Sequence, residues 1–197
     1  MTKYETLKEL SLNHNGYLLT KEVEKAEISR PYMQRFVEEN RYEKVAQGVY
    51  ISSDTLPDQM YILQLLNKSA VYTGESALYL HGLMDHEPKQ MMVAVKRGYN
   101  ASHLKKKGVR SYYLKEELFN EGIDEADTVY GNRVRVFDID RTICDAIVHK
   151  DEMDIQTYSN AIRSYMSRSD KNIHKLMKYA RQLGIEKKVR DYTEVML

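Results

Sequence analysis

The sequence predicts an α+β protein: an N-terminal winged helix-turn-helix, then a larger mixed α/β C-terminal domain ending in a helical bundle. Three observations carry this. Residues 1–51 order three short helical patterns ahead of a hairpin pattern. A polar stretch, Ser53-Asp54-Thr55-Leu56-Pro57, then interrupts the chain, placing the domains at 1–53 and 58–197. Beyond it, helical and strand patterns alternate before the chain closes on successive apolar stripes of helical period.

In the first domain Tyr4, Leu7 and Leu10 give helix one its apolar rhythm, and Asn13-His14-Asn15-Gly16 stops it. Thr20 is placed to cap a brief second helix carrying Val23 and Ala26. Ser29 caps the third, with Pro31 tolerated in its first turn. Met33, Phe36 and Val37, at i, i+3 and i+4, form that helix's inward stripe. Strands at 42–45 and 49–51 flank Ala46-Gln47-Gly48, a tight hairpin.

In the second domain helices are expected at 58–67 and 73–80 (capped by Thr73) and strands at 91–95 and 109–114. A hairpin is expected from strands at 128–130 and 133–137 through Gly131-Asn132. Helices at 140–150, 155–166, 170–183 and 186–196 complete the bundle, with Asp140 capping the first.

Composition narrows the function. Thirty Lys and Arg against 29 Asp and Glu leave a formal charge of +1, so any nucleic-acid surface must come from the arrangement of charge. One cysteine, Cys144, rules out an internal disulfide framework and a multi-Cys zinc site; its apolar neighbours make it an inert core thiol. The N-terminus lacks a signal-peptide pattern and no apolar run approaches a membrane span, so a cytoplasmic protein without a membrane partner is expected. The nine glycines are never closer than eight positions apart, which excludes the Gly-rich dinucleotide loop, the P-loop and the nucleophile elbow. No cofactor is expected.

With its apolar stripe turned inward, helix three leaves Ser29, Arg30, Tyr32, Gln34 and Arg35 to meet the major groove, while Lys44 and Gln47 of the hairpin reach phosphates or the minor groove. The same surface could instead serve protein contacts, since residues 1–51 hold eight bases and eight acids. Residues 89–115 carry eight bases and no acid, so Lys105, Lys106, Lys107 and Arg110 mark either a second basic surface, for flanking DNA or for RNA, or a solvated loop beside the six acids of residues 116–127. Asp138-Ile139-Asp140 would place two carboxylates on one strand face, as in a metal-dependent nucleotidyltransferase, although capping is the simpler use of Asp140. His81, Asp85 and His86 form a possible metal cluster near a helix end, where a structural histidine is the simpler reading; no metal site is expected. Most of the 16 tyrosines are read as core residues with a wet edge.

Taken together, Ile28-Ser29-Arg30 and Val45-Ala46-Gln47-Gly48-Val49-Tyr50, then Tyr72-Thr73-Gly74-Glu75-Ser76-Ala77 with His81-Gly82-Leu83, then Asp140-Arg141-Thr142-Ile143-Cys144-Asp145, resemble the AbiEi antitoxins of bacterial type IV toxin–antitoxin (abortive infection) systems. The chain departs from the family pattern at Asn40, where glycine is common, and at Asp140, where glutamate is common. The resemblance implies a non-enzymatic transcriptional autorepressor. It would bind inverted repeats in double-stranded operator DNA, as a monomer loading cooperatively. Its C-terminal domain would counteract a nucleotidyltransferase-like toxin without a stable complex.

Overall fold

A computed structural model describes residues 1–196, with side-chain environments through residue 194. The chain divides into two compact units, Met1–Leu66 and Asn67–Leu197, of which Leu197, the end of the expected second domain, lies outside the described residues.

The first unit runs α1 (Lys3–Leu12), β1 (Tyr17–Leu19), α2 (Thr20–Lys25), α3 (Arg30–Glu39), β2 (Glu43–Ala46), β3 (Val49–Ile51) and α4 (Gln59–Leu66). Thr2 opens α1 with a capping box: its hydroxyl accepts from Glu5 N at 3.2 Å while its own N–H donates to the Glu5 carboxylate at 2.7 Å. β1 was not expected. Its three residues, Tyr17, Leu18 and Leu19, are all buried and pair antiparallel with β3, giving a three-stranded sheet of order β1-β3-β2. A three-residue apolar run shows no period, so only its partner strand identifies it.

Because β1 runs straight into α2, Leu19 occupies the N-cap position and Thr20 is the first helical residue, correcting the expected threonine cap. Ser29 does sit at the N-cap of α3, but its side chain makes no cap bond. The predicted stripe of α3 packs as expected: Met33, Phe36 and Val37 join Leu7, Leu18, Val23 and Ile28 in one core. After α3 the left-handed residue is Arg41 (φ 55) rather than Asn40, whose amide instead donates to Phe36 O at 2.8 Å.

The helix at 58–67 belongs to the first unit, so the division falls at 66/67 and not between 53 and 58. Asp58 explains this. Its N–H donates to the Tyr17 hydroxyl at 2.8 Å and its carboxylate caps α4 at Tyr61 N, while the Tyr17 and Tyr61 rings meet edge-on at 5.0 Å.

The second unit runs β4 (Val71–Tyr72), α5 (Gly74–Leu80), β5 (Met92–Lys96), α6 (Ser102–Lys106), β6 (Arg110–Leu114), α7 (Glu116–Phe119), β7 (Ile123–Asp127), β8 (Arg133–Phe137), α8 (Ile139–Val148), a 3₁₀ turn (Lys150–Glu152), α9 (Ile155–Ser167), α10 (Ile173–Gln182) and α11 (Glu186–Met196). Its mixed sheet has the order β6-β5-β4-β8-β7, with β5/β6 and β4/β8 parallel and the other pairs antiparallel. Ile143, Cys144 and Ile147 of α8 form a helical core with Ala161, Ile162 and Tyr165 of α9, Leu176 and Ala180 of α10, and Val189 of α11. A smaller cluster of Val71, Ala94, Phe119 and Phe137 lies on the sheet.

The hairpin ahead of α8 differs from expectation. Its first strand is Ile123–Asp127, and Thr128 begins the turn, its hydroxyl accepting from Asn132 N at 3.2 Å and Tyr130 N at 3.3 Å. Asp124, Glu125 and Asp127 make this edge strand read as polar loop. The helix expected at 170–183 begins at Ile173, capped by the Asn172 side chain on Lys175 N. No helix among the described residues is long and apolar enough to cross a membrane.

Candidate nucleic-acid interface

On α3 the pattern leaves a polar face opposite Met33, Phe36 and Val37. Ser29, Arg30, Gln34 and Arg35 are exposed there, Arg35 without an ion pair to any described residue. Arg30 is held by Glu24 of α2 at 2.7 Å, and Gln34 donates to Glu38 at 3.1 Å. Tyr32 departs from the expectation: it is half-buried against the core, with Lys3 Nζ 5.9 Å above its ring, so it braces α1 against α3. Lys44 and Gln47 are exposed on the hairpin, whose register shifts between Lys44 and Ala46. The hairpin turn is anchored by Thr20 N donating to Gly48 O at 2.9 Å.

In the second unit Lys105, Lys106 and Lys107 are exposed on and just after α6, with no ion pair to a described residue. Arg110 is not free in this way. It pairs with Glu152, which also accepts from the Tyr112 hydroxyl at 2.9 Å. Burial, then that bond, pushes the Tyr112 pKa up to about 12. Glu116 likewise takes Lys96 at 2.6 Å, which holds its carboxyl below the ordinary range.

The two carboxylates of the nucleotidyltransferase reading do not share a strand face, because β8 ends at Phe137. Asp138, not Asp140, is the N-cap of α8, accepting from Arg141 N at 2.9 Å. Its other oxygen accepts from the Tyr179 hydroxyl at 2.7 Å and faces Lys175 Nζ at 3.0 Å. Asp140 lies inside the first helical turn and accepts from the Tyr165 hydroxyl at 2.6 Å and from Asn172 N at 3.2 Å. Both are almost fully buried, so this constellation clamps α8 to α9 and α10. Burial, then the carboxylate contact, raises both tyrosine pKa values.

The next residue, Arg141, is completely buried against Asp145 at 2.9 Å, and Asp145 also accepts from the Thr73 hydroxyl at 3.2 Å. The expected Thr73 cap is therefore spent on tying α5 to α8. Among the described residues no group of three or more His, Cys, Asp or Glu could hold a metal ion. His81 bonds Phe137 O through Nε2 at 2.7 Å, and Cys144 is a buried thiol donating to Leu176 O, its pKa pushed up by burial.

Burial also lowers the His81 pKa. A histidine depressed on folding contributes stability above its unfolded value near 6.5 and loses it as pH falls through the folded value. The expected outcome is a urea midpoint that declines below about pH 6.5 and declines less steeply in His81→Gln, whose amide keeps a donor for Phe137 O. Identical acid limbs would refute this role for His81.

Sequence reasoning missed the surroundings of the lysines. Tyr99, Ser111 and Tyr113 border a cleft with Lys105, and Tyr113 is 50% exposed, unlike the core tyrosines. The signal available was the tyrosines' position within the acid-free segment 89–115.

No protein-family model matches the chain, and no curated protein matches it. In fold it is similar to the RV2827C protein from Mycobacterium tuberculosis, a crystal structure that aligns with a TM-score of 0.58 at 8% identity, over 92% of this chain and 72% of that one.

Proposed function

We propose that the first unit is a winged helix-turn-helix that reads operator DNA, and that the protein is a non-enzymatic autorepressor and antitoxin of the AbiEi type. The carrying observation is α3 itself, which buries Met33, Phe36 and Val37 and leaves Arg30, Gln34 and Arg35 facing solvent. An α-helix is about 10–12 Å across, which fits the roughly 12 Å width of the major groove. The order α1-β1-α2-α3-β2-β3 supports the reading, with α2 and α3 joined by a short turn in which Glu27 is left-handed (φ 56). The bulged β2–β3 hairpin supplies the wing.

Residues 1–51 are balanced in charge, so the reading rests on placement: Arg30, held by Glu24, and Gln34, donating to Glu38, both make exposed contacts. Exposed pairs are weak in water, so exchanging a carboxylate for a DNA phosphate or a guanine edge costs little.

Arg35→Ala and Arg30→Ala are each expected to weaken binding to duplex DNA from upstream of the gene by about 1–3 kcal/mol, roughly 5- to 150-fold, at physiological salt. A scrambled duplex of equal length should bind weakly and with a steep salt dependence. Fluorescence anisotropy measures both; wild-type affinity in both variants would discard this docking of α3. The resemblance supplies the rest of the reading: a cytoplasmic protein whose monomers load cooperatively on inverted repeats, and a C-terminal unit that counteracts a nucleotidyltransferase-like toxin without a lasting complex.

A further inference from the structure

The second unit carries a cleft of ≈ 720 Å³ beside β6, one of the two edge strands of its sheet. Side chains alternate along β6. Tyr112 and the Arg110 guanidinium turn to Glu152, while Val109, Arg110, Ser111 and Tyr113 border the cleft along this strand. Tyr99, Asn100 and Ala101, ahead of α6, and Ser102, its first residue, also line the cleft, with Lys105 of α6 beside them.

Each group suits one ligand chemistry. Tyr113 offers a half-exposed ring, and Tyr99 is held edge-on to His103 at 6.1 Å. Asn100 is pinned by Ser102 N donating to its side-chain oxygen at 3.1 Å, so this wall is preformed. The Ser111 hydroxyl is screened from water, with no hydrogen-bond partner among the described residues, so it lies beneath the cleft surface and leaves contact with a ligand to the rings, Asn100 and Lys105. Glu116 and Glu152 satisfy Lys96 and Arg110, whereas Lys105, Lys106 and Lys107 have no ion pair with any described residue. A flat aromatic surface, fixed polar groups and an uncompensated cation suit a stacked base with its phosphate. An acidic peptide would use the cations and leave the rings idle. The cleft also falls within the roughly 300–1,000 Å³ of small-molecule sites, and a duplex could not insert a paired base into it.

We propose that this cleft binds a nucleoside monophosphate unit, its base stacked on Tyr113 and its phosphate at Lys105. The unit can come from a free nucleotide or from one position of a single strand, and the two share this chemistry. The cleft lies in the second unit and the DNA-reading helix in the first.

The test titrates the full-length protein by calorimetry with adenosine monophosphate, a short oligouridylate and a polyglutamate peptide, repeated for Tyr113→Ala, Lys105→Ala and Arg35→Ala. The expected result is that a nucleotide probe binds, that Tyr113→Ala weakens it roughly 5- to 100-fold, that Lys105→Ala weakens it and flattens its salt dependence, and that Arg35→Ala leaves it unchanged. Binding of the monophosphate assigns a free nucleotide; binding of the oligonucleotide alone assigns a single strand. Failure of both nucleotide probes, binding indifferent to Tyr113→Ala and Lys105→Ala, or competition by polyglutamate as strong as by the oligonucleotide would overturn the proposal. Since Tyr113 and Lys105 are surface residues, near-wild-type thermal melts of these variants keep each result interpretable.

Discussion

Replacing Asp145 by alanine is expected to destabilise the protein by about 3–5 kcal/mol, because it strands a buried cation. Arg141 has no solvent exposure. Its Nε donates to Asp145 at 2.9 Å, Nη1 donates to Leu118 O at 3.3 Å, and Nη2 has no partner among the described residues. The guanidinium lies 4.9 Å over the Phe137 ring, which offsets part of its desolvation but supplies no counter-charge. Thr73 would lose its acceptor in the same substitution, removing a hydrogen bond that ties the start of α5 to α8. Against a typical domain stability of roughly 5–15 kcal/mol, that is a large share.

Arg141→Met tests the other half of the pair. Burial already raises the Asp145 pKa, and Arg141 opposes that rise. With the arginine gone, the carboxyl pKa should climb further. A carboxyl raised on folding favours the protein at low pH and loses that contribution as pH rises through the folded value. The variant should therefore be relatively more stable in acid than at neutral pH. Urea unfolding at two pH values measures both effects, and an Asp145→Ala loss below about 1 kcal/mol, the scale of an exposed pair, would mean the pair is not isolated from water.

Gly122→Ala is expected to cost about 2–4 kcal/mol, from backbone strain and a broken buried hydrogen bond together. Gly122 has φ 76, and an added Cβ would lie 2.9 Å from the Tyr179 hydroxyl, 3.0 Å from the Asp138 carboxylate and 3.1 Å from Arg141 Cβ. The methyl would wedge between the very groups whose 2.7 Å bond fastens α10 to the start of α8. Gly131 is the control. It has φ 74 with nothing within 4 Å of its Cβ position, so Gly131→Ala carries the backbone cost alone. Equal melting points for the two variants would show that the packing around Gly122 yields freely.

The elements that could be read in advance share a property: each announces itself within its own residues. Met33, Phe36 and Val37 mark a helix face without reference to anything else, and Ile173, Leu176, Met177, Ala180 and Leu183 mark another. The elements that were missed have no such signature. β4 is two residues long, β1 is three, and β7 carries Asp124, Glu125 and Asp127. Among the site residues, the exposure of Ser29, Arg30, Gln34 and Arg35 followed from helical period, whereas the inward turn of Tyr32 depends on α1 packing beside it.

The two aspartates before α8 show where local reasoning stops. Asp138 and Asp140 are both chemically fit to cap a helix, and the choice depends on where β8 ends, a matter of pairing with β7. The amino-acid sequence by itself determined the α+β class, the inward face of α3 and the position of its basic residues, because periodicity and charge are properties of neighbours along the chain. Only the tertiary structure decided the edge strands, the burial of Arg141 with Asp145, and the meeting of Tyr99, Lys105, Ser111 and Tyr113 around one cleft. Those features come from strand pairing and packing between segments distant in sequence, and no local pattern encodes which segments will meet.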